Sequence, residues 1–177
     1  MPINARKLRE KQIEAAQGYL MLDMPEHALN ELNAVSEPEK CPFEWNQLRG
    51  EALRQQREFV DALTAYERAL AEAPTDMHVV MGMAWCYKRT NQLHKAIAAM
   101  QELYRTASDE PIVLYNLACY FAFDGDKQQA LSWLGRSLRM DASLHKLIAD
   151  ESDFDRLRGD ADFQLIVNTI GDVSKTS

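Results

Sequence analysis

Glycine and proline are scarce in this chain, seven and six among 177 residues. Both residues interrupt helices, glycine through backbone freedom and proline through its missing donor. Their rarity beside plentiful alanine points to an all-helical protein. Cysteine is rarer still: Cys41, Cys86 and Cys119 are far apart and odd in number. No CxxC pair or Cys/His cluster exists, so neither a zinc site nor a disulfide framework is indicated. Reduced thiols of a cytoplasmic protein follow as the default. Cations are outnumbered, 20 Lys and Arg against 27 Asp and Glu, for a net charge of −7. A phosphate backbone needs a basic face, so nucleic acid is not an expected partner. No apolar run approaches the roughly 20 residues of a membrane helix. The opening Met-Pro-Ile-Asn-Ala-Arg-Lys-Leu-Arg-Glu is charged and lacks an apolar signal region. Membrane insertion is therefore not expected.

What is present is a globular composition, with 46% apolar and 27% charged residues. The length suits one domain or a short array with a real core. Internal repetition is the strongest signal. The stretch Phe43–Asp76 reads as two helical halves meeting at Arg57-Glu58, with Gly50 in the first, Ala62 in the second and Pro74 as a stop. Small residues permit close approach of paired helices. Shifting that stretch by 34 residues reproduces the small positions without a gap: Ala16, Gly50, Ala84 and Ala118, then Ala28, Ala62, Ala96 and Ala130. Larger columns follow the same period. They are Tyr19, Leu53, Tyr87 and Phe121; Leu29, Leu63, Ile97 and Leu131; and Leu32, Tyr66, Met100 and Leu134.

These columns resemble the tetratricopeptide repeat family. The resemblance covers residues 9–144 as four repeats, 9–42, 43–76, 77–110 and 111–144, and is fullest in the second. It implies an all-α fold, a right-handed α-solenoid of antiparallel helix pairs. Turn chemistry fits those cuts. Pro25 can open a helix, Thr75-Asp76 and Ser108-Asp109-Glu110-Pro111 offer N-caps, and Asp124-Gly125-Asp126 ends one helix and starts the next.

Residues 1–144 are thus expected to form the array, and 145–177 a helical cap with a short tail. Asp141 and Ser143 can cap a helix bearing Leu144, Leu147 and Ile148. A turn at Ser152–Asp155 and a cap at Gly159-Asp160 precede a last helix with Phe163, Ile166, Val167 and Ile170. The tail Ser174–Ser177 is expected to fray. The segment Asp150–Phe163 resembles the closing segment of many bacterial arrays of this kind, where a terminal cap must cover an open apolar face. Its acids lack the alternating ligands and central glycine of a calcium loop.

No catalytic constellation is visible: no nucleophile elbow, phosphate-binding loop or HExxH helix. His27, His78, His94 and His145 read as surface or capping residues. Cys86 reads as a small core hydrophobe. No enzyme activity, cofactor or metal is expected.

In the family, first helices line a concave groove through their second, fifth, ninth, twelfth and thirteenth positions. Carried over, the resemblance implies Arg54 and Gln55 in the second repeat, Met81, Trp85, Lys88 and Arg89 in the third, and Tyr115, Cys119 and Phe123 in the fourth. Helical spacing groups the third-repeat set, and likewise the fourth, on one face. Apolar and aromatic area beside cations suits a protein segment with apolar anchors and acidic flanks. The carboxylate clamp known in the family is not reproduced, since Ile13 and Gln17, then His78 and Gly82, occupy its positions. The leading reading is a non-catalytic, protein-binding adaptor. A chaperone for hydrophobic secreted proteins of the type III translocator kind, and a structural subunit that self-associates, are the alternatives.

Overall fold

The computed structural model describes residues 5–173, with side chains through Thr169. The Ile170 side chain and the tail Ser174–Ser177 lie outside the described residues. Among those described, the chain is helical and carries no strand. It divides into two compact units, Met1–Gln92 and Leu93–Ser177.

The first unit holds α1 (Ala5–Met21), α2 (Pro25–Ala34), α3 (Pro42–Gln55), α4 (Phe59–Glu72) and α5 (Met77–Arg89), with a 3-10 turn at Pro38–Lys40. Pro25 and Pro42 sit in the first turns of their helices, where a missing donor costs nothing. Asp76 caps α5 by accepting from the Val79 amide at 2.9 Å. Two clusters make the core. Ala16, Leu20, Ala28, Leu32 and Ala52 form one. Ala62, Leu63, Tyr66, Ala69, Val79 and Cys86 form the other.

Gly50 makes room for a side chain. A Cβ on it would stand 2.6 Å from Cδ1 and Cε1 of Tyr66, and one on Gly82 would stand 2.7 Å from the Tyr66 Cζ and hydroxyl. Tyr66, the one aromatic of its repeat column, therefore lodges against two glycines from α3 and α5.

The second unit holds α6 (Leu93–Thr106), α7 (Pro111–Asp124), α8 (Lys127–Met140), the short α9 (His145–Ile148) and α10 (Ala161–Val173), with 3-10 turns at Ala142–Leu144 and Ser152–Leu157. Nearly every residue of α7 from Val113 to Ala122 is buried, on all faces. A helix that is apolar all round is a central one. Helices α6 and α8 and the turn Ser152–Leu157 pack around it. Asp126 caps α8 through the Gln129 amide at 3.0 Å. Asp160 caps α10, accepting from Asp162 at 3.0 Å and Phe163 at 3.2 Å. Arg158 donates to the carbonyls of Ala149 at 3.0 Å and Glu151 at 3.1 Å, closing the end of α9.

The 34-residue period is also written in the backbone. Asp23, Arg57, Asn91 and Gly125 all take positive φ, at 56°, 65°, 60° and 90°. At each, the amide of the following residue reaches back across the helix end: Met24 to Tyr19, Glu58 to Leu53, Gln92 to Tyr87 and Asp126 to Phe121, at 2.9, 2.9, 2.8 and 3.0 Å. That is the six-residue closure of a Schellman motif. Its acceptors are the carbonyls of one repeating side-chain column. All eight small positions of the repeat are buried.

Candidate functional site

In the first unit the ends of α3 and α5 and the start of α4 converge on Trp85. Arg54 stands on the last turn of α3, Phe59 opens α4, and Arg89 ends α5. The Arg54 and Arg89 guanidinium carbons lie 5.1 and 5.4 Å from the Trp85 ring centre. Phe59 meets Trp85 edge to face, with centroids 5.3 Å apart at 76°, and Arg89 lies 5.8 Å from the Phe59 ring. These are cation–π distances. Trp85, Arg54 and Phe59 are partly buried, while Arg89 is exposed.

A hydrogen-bond chain from the core fixes Arg54. The Tyr66 hydroxyl donates to Glu51 Oε2 at 3.0 Å, and Arg54 Nε donates to the same oxygen at 3.0 Å. A second, very close Arg54 contact reaches Glu51 Oε1. Gln55 Nε2 donates to Glu51 Oε1 at 3.2 Å and to the Leu20 carbonyl at 3.4 Å. Burial is the largest single influence on Glu51 and opposes its ionisation. The hydrogen bonds from Arg54, Tyr66 and Gln55, with the Arg54 charge, together outweigh it and hold the carboxyl below its usual range. Burial likewise opposes the Arg54 charge, and Glu51 more than offsets it, raising the guanidinium pKa. Burial, then the Glu51 charge, pushes the Tyr66 phenol up. The arrangement is a pinned, charged guanidinium beside an indole, with a second, exposed cation at the rim.

Of the residues expected on a groove, the first unit brings together Arg54, Trp85 and Arg89, with Gln55 behind them. Met81 and Lys88 are partly buried on the same helix. Phe59 was missing from that set. Its signal was its place at the start of α4, directly after the Arg57-Glu58 turn.

The second unit differs from the expectation. Tyr115 and Cys119, expected on an open groove, are only 4% and 3% exposed. Phe154, from the 3-10 turn after the repeat, meets the Tyr115 ring edge to face at 5.9 Å and packs on Phe163 at 5.5 Å. The closing segment covers them because α7 is too apolar to leave a face in water. Phe123, the third fourth-repeat residue expected on the groove, is 49% exposed at the end of α7. Ile148 is buried and its neighbour Leu147 exposed.

Beneath that cover, the Cys119 Sγ and a carboxylate oxygen each of Glu151 and Asp153 lie within 4.8 Å of one another. Cys119 and Asp153 are buried, and Glu151 partly so. This grouping has the composition of a cation site. No local motif announced it, because its members come from α7 and from a turn beyond α8 and α9.

The folded chain is thus a helical-repeat scaffold of antiparallel helix pairs, with its distinctive side chains at helix ends. Residues 53–118 match the model of the tetratricopeptide repeat, a repeat whose helix pairs serve protein–protein interaction. Solved structures similar to this chain include a MamA chain from Desulfovibrio magneticus RS-1, at 16% identity over 96% of this chain and 97% of that one, TM-score 0.72. A second MamA crystal structure is 12% identical over 96% and 95%, TM-score 0.72. A MamA RS-1 double mutant is 20% identical over 76% of each chain, TM-score 0.68. At such identities the likeness is one of fold. No curated protein matches the chain in sequence. No helix among the described residues is long and apolar enough to cross a membrane.

Proposed function

We propose that the chain is a non-catalytic adaptor whose first unit holds a partner's protein segment at the ends of α3 and α5. The supporting observation is Trp85 flanked by Arg54 and Arg89, with Phe59 at its edge. An aromatic surface beside two guanidiniums favours an apolar anchor with an adjacent carboxylate. Arg54 is already neutralised by Glu51, so Arg89 is the cation that meets the partner's acid. We further propose that the helix pairs at 9–42, 43–76, 77–110 and 111–144 are the repeating units. Residues 145–177 then serve as their cap, which the packing of Phe154 on Tyr115 favours.

The test is selection from a displayed peptide library with wild-type protein, followed by titration of the enriched peptides. Enriched sequences should pair an aromatic or aliphatic anchor with Asp or Glu. Arg89→Glu should weaken them at least tenfold, about 1.4 kcal/mol, without moving the unfolding midpoint. Trp85→Ala should abolish them. Enrichment of basic peptides, or binding indifferent to Arg89→Glu, would refute the assignment.

A further inference from the structure

The cluster beneath the closing turn belongs to no part of that adaptor surface. Cys119 stands on α7 one helical turn after Tyr115, so both side chains leave the same face. Glu151 and Asp153 reach that face from the other side, as the N-cap and second residue of the turn Ser152–Leu157. The Asp153 amide donates to Glu151 Oε1 at 3.1 Å. One Glu151 oxygen is so oriented by the Asp153 backbone amide, leaving the other for an external partner.

An independent feature marks the space between them. Tyr115 is 4% exposed, and its hydroxyl oxygen, fully buried, has no directed hydrogen-bond partner. A buried phenol normally finds one. Tyr115 shares the α7 face of Cys119 and packs on Phe154, the residue after Asp153, at 5.9 Å, so its unpaired hydroxyl lies under the same cover as the three ligand atoms.

We propose that Cys119, Glu151 and Asp153 form a Zn²⁺ site of three protein ligands, with the Tyr115 hydroxyl beside the fourth position. The donor set decides the metal. The thiolate is too soft for Ca²⁺ or Mg²⁺, and one sulfur beside two carboxylates suits a borderline-soft divalent ion. Tetrahedral zinc with Zn–S near 2.3 Å and Zn–O near 2.1 Å sets its ligands about 3.5 Å apart. The observed separations, within 4.8 Å, need to close by roughly 1 Å, within reach of the Glu151 and Asp153 side chains. Binding displaces the Cys119 thiol proton to solvent, since only the thiolate ligates. Two carboxylates and a thiolate repel one another in a buried space, and a divalent ion offsets that repulsion. The ion would tie the closing segment to α7, cross-linking residues far apart in the chain.

The experiment uses the full chain after chelator treatment, titrated with Zn²⁺ and, separately, Co²⁺. One equivalent of Zn²⁺ should bind and raise the melting temperature. The Co²⁺ form should show a thiolate-to-metal charge-transfer band and intense tetrahedral d–d bands. Cys119→Ser should remove the charge-transfer band, Glu151→Gln should weaken Zn²⁺ at least tenfold, and Cys41→Ser should leave both unchanged. If Cys119→Ser does not fold, Glu151→Gln at its partly exposed position and the wild-type Co²⁺ spectrum still decide. Absence of saturable Zn²⁺ binding, a Co²⁺ spectrum without a thiolate band, or binding that survives Cys119→Ser would overturn the proposal.

Discussion

Gly50 and Tyr66, on adjacent helices, fit so closely that a single carbon would not pass between them: a Cβ on Gly50 would lie 2.6 Å from the ring. The ring is 2% exposed and its hydroxyl is tied to Glu51 at 3.0 Å. It cannot swing away, and Gly82 blocks its tip. Alanine in a helix ordinarily gains about 0.5–1 kcal/mol over glycine. Overpacking costs about 1–3 kcal/mol. Gly50→Ala and Gly82→Ala should therefore destabilise by about 1–2 kcal/mol. Gly18 on α1 has nothing within 4 Å of its would-be Cβ, so Gly18→Ala should stabilise by about 0.5–1 kcal/mol. Urea midpoints of the three variants check the opposite signs.

The four left-handed turn residues differ in chemistry though not in geometry. Arg57 holds φ 65° with a Cβ, while Gly125 holds φ 90° without one. The left-handed region costs a side-chain-bearing residue about 1–2 kcal/mol, partly offset by the extra unfolded-state freedom of glycine. Arg57→Gly should stabilise by about 0.5–1 kcal/mol and Gly125→Ala should destabilise by about 1 kcal/mol. Thermal melts of the pair decide whether the shared φ is a shared strain.

Glu51 links stability to pH. Its folded pKa lies below its ordinary value, so its contribution is complete above the unfolded pKa near 4.3 and is lost as pH falls through the folded value. Glu51→Gln should be less stable than wild type at pH 7, and the gap should close in acid. Urea denaturation of both at pH 7 and near pH 3 measures it. A gap independent of pH would mean that hydrogen bonding, not charge, is what Glu51 supplies.

Cysteine reactivity should follow burial. Cys86 is fully buried, and that burial above all pushes its thiol up to about 12. Cys41 is partly exposed, and burial raises its thiol more modestly. With a thiol reagent near pH 8, Cys41 should label in the native chain, and Cys86 only at the rate of unfolding. Peptide mass spectrometry across a urea series reads both.

Much of the architecture was legible without coordinates, because helix pairing depends on local spacing. The small columns from Ala16 to Ala130 recur with the period of a helix pair, and their burial follows from it. Caps at Asp76, Asp126 and Asp160 were equally visible, since a cap acts within three residues. The shared left-handed turn was not. Asp23, Arg57 and Asn91 give no glycine signal, and the hydrogen bonds across the helix end impose φ on whichever residue arrives there.

The site divides along the same line. The sequence by itself determined that Arg54, Trp85 and Arg89 lie near helix ends, because one helix's spacing sets them. Only the tertiary structure decided that Phe59 joins them and that Tyr66 ties down the Glu51 that pins Arg54, since those contacts cross between helices. It decided also that Tyr115 and Cys119 are covered. Spacing says which residues share a face, but what covers that face depends on where a later segment turns. Phe154, Glu151 and Asp153 reach α7 only through the path of α8, α9 and the turns around them. That path turns a thiol, two acids and a phenol, unremarkable along the chain, into one buried polar cluster.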